Sequence, residues 1–166
     1  MQRFRCVRCG TTFSESQPLG GVRIEADKAA QVAHLLIEGV GIRAISRLTG
    51  LHQETVLNVL QTAGEHCQRV LDERIKNVQP EAVEIDEIWC FCGCKQRNNL
   101  SNDYDRGDQY LFHAVETKSK LIISHNLGKR DSGQTLTLIQ DLAKRVPGRF
   151  QLTTDGYEPY KTVVPQ

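Results

Sequence analysis

The apolar positions change their period twice along the chain. Across residues 27–77, a stretch without proline, they recur at helical spacing. Val32, Leu35 and Leu36 mark one face of a helix over 27–38 that Gly39 ends. Ile42, Ile45 and Leu48, three residues apart, predict a short second helix over 42–49. After the Gly50-Leu51 turn, Val56, Leu57 and Leu60 form the inner stripe of a third helix over 53–63. Beyond Pro80 the period drops to two. Val83-Glu84-Ile85-Asp86-Glu87-Ile88-Trp89 alternates, as does much of 110–115. Residues 121–123 and 150–154 read as two further strands. Between them Leu136, Ile139, Leu142 and Ala143 predict a helix that Pro147-Gly148 ends. The polar stretch 98–108 is a loop long enough to move. His34 is expected to pack on the first helix and His125 to lie in a strand.

Composition narrows the class. With 166 residues, 39% apolar and 25% charged, the chain suits one ordinary domain or two small ones and is neither disordered nor fibrous. No run approaches the roughly 18 apolar residues of a membrane span. Residues 1–9 lack a signal peptide's apolar core, so the expected location is the cytoplasm. A net charge of +1 is silent about nucleic acid, but Arg3, Arg5, Arg8 and Arg23 against a single Glu15 make a locally basic start. Six clustered cysteines in a chain read as cytosolic point to metal binding or burial rather than disulfides.

Cys6-Val7-Arg8-Cys9-Gly10 is half of a zinc knuckle, two thiolates on a tight turn with glycine beneath. Structural zinc takes four ligands, and no second pair lies nearby, so a free dithiol is the alternative. In the helical stretch, a short helix, a glycine turn and another helix make a helix-turn-helix. Its third helix would offer Gln53, Glu54, Asn58 and Gln61 to base edges in a major groove, with Arg43 and Arg47 on phosphates. The same spacing fits any three-helix bundle. Asp86 and Glu87 sit in an otherwise apolar strand, where a charge needs a partner. Asp155 ends another strand. Two such carboxylates suit Mg²⁺, or equally are surface groups at strand ends, which spacing alone favours. Cys90, Cys92 and Cys94 alternate along an extended segment. They would form a metal site only with Cys67 or His113, and otherwise pack as small buried residues.

Taken in order, these motifs resemble the transposases of the bacterial insertion-element-one type. The resemblance is carried by Arg5-Cys6-Val7-Arg8-Cys9-Gly10-Thr11-Thr12-Phe13, by Gly39-Val40-Gly41-Ile42-Arg43-Ala44-Ile45-Ser46-Arg47-Leu48-Thr49-Gly50, and by Asp86-Glu87-Ile88-Trp89. Gly128-Lys129-Arg130 and Thr154-Asp155-Gly156-Tyr157 with Tyr160 complete it. It implies a ribonuclease-H-like domain whose Asp-Asp-Glu triad binds two Mg²⁺ (or Mn²⁺) ions, with Asp86 as the first acid and Asp155 as the second. It also implies a helix-turn-helix that recognises the double-stranded terminal repeats of a mobile element. Partners would be element-end and target DNA and a second copy in a homodimer, with no membrane, in a bacterial cytoplasm at the nucleoid.

The sequence departs from that pattern at both ends. Only eleven residues follow Asp155, whereas the family's glutamate lies well downstream, and Glu158 sits too close to take its place. The family's earlier cysteine pair would precede Met1. The expected architecture is therefore mixed, α+β and α/β, in three parts: a partial zinc ribbon over 1–22, a helix-turn-helix with a connecting helix over 23–78, and the first part of a ribonuclease-H-like domain over 79–166. The expected function is that of an incomplete DNA transposase lacking its third acid, inactive by itself. The alternatives are a catalytically inert DNA-binding repressor of transposition and, more remotely, a zinc-ribbon regulator unrelated to mobile DNA.

Overall fold

The computed structural model describes residues 3–14, 22–101 and 103–164. Their mixed α/β fold falls into two units, Met1–Val70 and Leu71–Gln166. Among them no helix is long and apolar enough to cross a membrane.

The first unit opens with a hairpin, β1 (Arg3–Arg5) against β2 (Thr12–Ser14), pairing Phe4 with Phe13. Their rings stack with centroids 5.7 Å apart. Three helices follow: α1 (Ala26–Ile37), α2 (Ile42–Thr49) and α3 (Gln53–Arg74), the last turn of which, from Leu71, belongs to the second unit. Gly50 ends α2 in the left-handed conformation (φ 71°), which a side chain would strain. The turn is then tied down: Thr49 Oγ1 donates to Ile45 O and accepts from the Leu51 N–H, while Lys28 Nζ donates to Thr49 O.

Val32, Ile45, Val56 and Val59, with Val22, form the buried centre of this unit. The inner stripe of α3 is thus Val56 and Val59. Leu57 and Leu60, expected inside, lie one step round the helix and are 49% and 43% exposed. Leu48 is exposed too, because Thr49 takes the buried position beside it and bonds its hydroxyl internally. His34, expected to be packed, is exposed on α1. α3 runs to Arg74 rather than stopping near 63, since Gly64 costs about 1 kcal/mol, too little to end a helix without proline.

The second unit is a four-stranded sheet of order β5-β4-β3-β6. β3 (Ala82–Cys92), β4 (Gly107–Glu116) and β5 (Ile122–Gly128) are antiparallel neighbours, and β6 (Gln151–Thr154) lies parallel to β3. Helices α4 (Ser132–Arg145) and α5 (Glu158–Val163) complete it. Asp131 caps α4, accepting from the Gln134 N–H at 2.9 Å. Leu138, Leu142 and Tyr160 pack on Val83, Ile85, Phe112, Ala114 and Ile123, so the helices cover the sheet face bearing the odd-numbered residues of β3. Glu158 opens α5. In the 98–108 stretch, whose last two residues belong to β4, buried Asn99 donates through Nδ2 to the carbonyls of Asp103 and Arg106.

Candidate functional site

Alternation along β3 decides which carboxylate is buried. Val83, Ile85 and Glu87 share the covered face, and the Glu87 side chain is only 3% exposed. A charge there needs partners. Arg130, just past β5, donates from Nη2 and Nε to Glu87 Oε2 at 2.9 and 3.2 Å. The Tyr160 hydroxyl, from α5, donates a short hydrogen bond to Glu87 Oε1. Arg130 also reaches Asp155, its Nη2 lying 3.1 Å from Oδ2. The guanidinium stacks 4.1 Å from the Tyr157 ring centre, and the Tyr157 hydroxyl donates to Arg130 O. Asp155 Oδ1 accepts from the Tyr157 N–H, closing a turn at Gly156 (φ 82°).

Electrostatics follow the contacts. Burial works against the charge on Arg130, but the Glu87 hydrogen bond and the charges of Glu87 and Asp155 outweigh it and hold the guanidinium above its ordinary value. Burial, then the Glu87 hydrogen bond, pushes the Tyr160 hydroxyl far up, so it remains a donor. Burial likewise raises Tyr157. Glu87, Arg130 and Asp155 form one cluster, two carboxylates sharing one guanidinium, where the middle of β3 meets the ends of β5 and β6.

Asp86 lies on the opposite, exposed face of β3, and its Oδ1 accepts from the Glu87 N–H at 2.8 Å. Parallel pairing of β3 with β6 ends at Ile85 opposite Thr154, which makes Asp86 and Asp155 the next residues along two neighbouring strands. Asp86 also pairs across β4 with His113, which pairs with His125 on β5. The buried Nδ1 of His113 has no hydrogen-bond partner among the described residues. Among those residues no three His, Cys, Asp or Glu side chains are grouped closely enough to hold a metal ion.

The expected DNA-facing residues all belong to the first unit. Arg43 and Arg47 are exposed on α2, and Gln53, Glu54, Asn58 and Gln61 are exposed on α3. Asn58 and Gln61 line a shallow depression with Val22, Thr62 and Glu65, and Gln61 Nε2 donates to Glu65 Oε1. Cys6 and Cys9 sit at the hairpin tip, where the Gly10 N–H donates to Cys6 O and Gly10 has φ 74°. Hydrogen bonds from the Thr11 hydroxyl and N–H, then from Cys6, lower the Cys9 thiol to about 7. Cys90, Cys92 and Cys94 do not form a buried set, since Cys92 is exposed and the other two are half-buried at the end of β3.

Sequence reasoning singled out Asp86 and Asp155 and passed over Glu87, Arg130, Tyr157 and Tyr160 as a network. A signal was present. Counting by twos from Val83 places Glu87 on the apolar face, and a lone acid there calls for a cation.

No family model matches this chain, and no curated protein does. Among solved structures it is similar to the "Mos1 transposase paired-end complex with left transposon end", a DDE-type transposase. That match has 16% identity and a TM-score of 0.31, covering 91% of this chain and 56% of the other. The chain therefore spans little more than half the length of that structure. A likeness so weak leaves function to be argued from the chain's own geometry.

Proposed function

We propose that this protein is a DNA-binding chain of transposase descent, of the insertion-element-one type, with a ribonuclease-H-like sheet. One observation carries the reading: the β3–β6 register runs to Ile85 opposite Thr154, which puts Asp155, just past the end of β6, next to Asp86 in the middle of the parallel strand β3. Carboxylate oxygens from adjacent strands are the donors that Mg²⁺ or Mn²⁺ prefers. Asp86 and Asp155 are the residues that would hold such an ion. When bound, it would supply charge stabilisation to attacking and leaving oxygens in phosphodiester cleavage. The helix-turn-helix would grip duplex DNA, Arg43 and Arg47 on phosphates and Gln53, Asn58 and Gln61 on base edges. Cys6 and Cys9 would supply two of the four ligands of a structural zinc, the other two coming from a second copy in a dimer.

A specific contact favours the inert, DNA-binding form of this reading. Arg130 bonds to both Glu87 and Asp155, so a resident cation already occupies oxygens of both carboxylates and offsets one of their two charges. This chain by itself binds DNA and a divalent ion weakly and does not cleave.

The test uses the purified 166-residue protein. Mobility shift on duplex DNA should show affinity that falls steeply with salt. Calorimetry with MnCl₂ should show weak binding that Asp86→Asn removes. Duplex cleavage should stay at background. Absence of salt-dependent duplex affinity would sink the DNA-binding reading, and cleavage abolished by Asp86→Ala would replace the inert form with an active one.

A further inference from the structure

The far end of β3 carries two large aromatic side chains that the core does not use. Trp89 and Phe91 are 45% and 50% exposed, and alternation places both on the side of Glu87. Their rings lie 5.8 Å apart and tilted by 41°, so neither covers the other. Two cations lie near them, and Asp108 pairs with Phe91 across β4. Lys95 Nζ is 5.6 Å above the Trp89 ring. The Arg106 guanidinium lies against Gly93, its Nε 3.1 Å from where a Cβ would stand, two residues beyond Phe91. Tyr104, 5.8 Å from Lys129 Nζ, and Tyr110, which β4 sets opposite Trp89 and 5.8 Å from Arg130, extend the row of rings toward Asp155. Lys129 donates to the Arg106 and Asp108 carbonyls and Arg130 is held by Glu87 and Asp155, which leaves Lys95 and Arg106 as the cations for phosphate. Exposed rings interleaved with Lys and Arg provide what an unpaired nucleic-acid strand uses, faces for bases and charge for phosphates.

We infer that Trp89 and Phe91 form a stacking platform for unpaired nucleotides, presenting a single-stranded segment beside the Glu87–Arg130–Asp155 cluster. The inference deepens the function proposed above and rests on it for the identity of the polymer as DNA. Duplex DNA offers no free base face to these rings, so the platform selects unpaired or distorted strands, whereas the helix-turn-helix grips paired ones. Lys95, on its flexible stem, can exchange the Trp89 ring for a phosphate as a base arrives.

Trp89 is the only tryptophan in the chain, so its fluorescence reports the site directly. The full-length protein is titrated with a single-stranded thymidine oligonucleotide and with an abasic phosphodiester of equal length. The oligonucleotide should quench Trp89, and the abasic strand should bind more weakly with little quenching. Phe91→Leu should weaken the oligonucleotide by about tenfold, the loss of one stacked base, while Phe91→Tyr restores it. Arg47→Ala should leave this titration unchanged while weakening duplex binding, so failure of the platform and failure of the helix-turn-helix are read separately. Equal quenching by both strands, or no quenching, overturns the inference. So does a Trp89 emission that shifts with protein concentration in the absence of DNA, which would assign the rings to a second copy of the chain.

Discussion

The helical unit and the sheet unit handle polar groups in opposite ways. On α2 and α3, Arg43, Arg47, Gln53 and Asn58 stand exposed around a core of valines and Ile45. In the sheet unit the informative charges are inside: Glu87 beneath α5, and Arg145 with a side chain only 9% exposed. An exposed polar side chain can be exchanged with little effect on folding, which leaves it available to read a partner. A buried charge is fixed by its counter-ion, and removing either member leaves the other desolvated and unpaired. Substitutions in the first unit should therefore change binding without stability. In the second they should change stability first.

The largest effect is expected at Arg145. Its guanidinium donates to Asp141 at 2.7 Å, to Asp72 at 2.6 Å and to the carbonyls of Leu71 and Ile75, tying the end of α3 and the residue after it to α4. Arg145→Ala should lower the unfolding free energy of the sheet unit by about 3 kcal/mol, measured by urea denaturation. Arg145→Lys should recover only part, since a point charge cannot reproduce the planar fork. A loss under about 1 kcal/mol for the alanine variant would erase the contrast between the units, because exposed sites give changes of that size.

A smaller and differently shaped effect is expected on the other side of the comparison. Arg47→Ala should leave the urea midpoint in place, weaken all duplex sequences alike and reduce the salt slope of binding by about 1. Asn58→Ala should instead alter the ranking among duplexes, since an amide reads base edges and an arginine on phosphate does not. If both variants shift the urea midpoint as Arg145→Ala does, α2 and α3 are structural and the recognition face lies elsewhere.

The two units were unequally legible for the same reason. Period-two alternation after Pro80 located the strand bearing Asp86 and Glu87, and period three to four located α1 and α2, because burial imposes those periods directly. Within α3 the sequence offered Leu57 and Leu60 against Val59, and hydrophobicity cannot choose between two stripes one step apart. The neighbouring helices choose Val59. Likewise Asp86 and Glu87 are adjacent in sequence, and only strand parity, read from Val83 and Ile85, tells that Glu87 is the buried one. The partners Arg130 and Tyr160 lie 43 and 73 residues away, and the pairing of β5 into the sheet and the packing of α5 on it, which no local pattern encodes, bring them in.

The smallest effect concerns acid and sharpens the comparison most finely. Burial pushes the Asp141 carboxyl up, but hydrogen bonds from the Arg145 guanidinium and the Ser124 hydroxyl outweigh it and hold the group below its ordinary 3.8. A carboxylate whose folded-state value is depressed binds protons more readily unfolded, so it adds stability above the ordinary value. That contribution shrinks as pH falls below 3.8 and vanishes below the depressed folded-state value. Asp141 is partly open to solvent, which screens the pair and limits the effect to about 1 kcal/mol. Asp141→Asn should accordingly be less stable than the parent at about pH 6, with the gap narrowing as the solution is taken to about pH 3. Urea midpoints of both proteins across that range measure it. A gap that stays constant would show that Asp141 acts through shape alone. A gap that widens in acid would mean that the folded state, and not the unfolded one, takes up the proton, reversing the sign argued from Arg145 and Ser124.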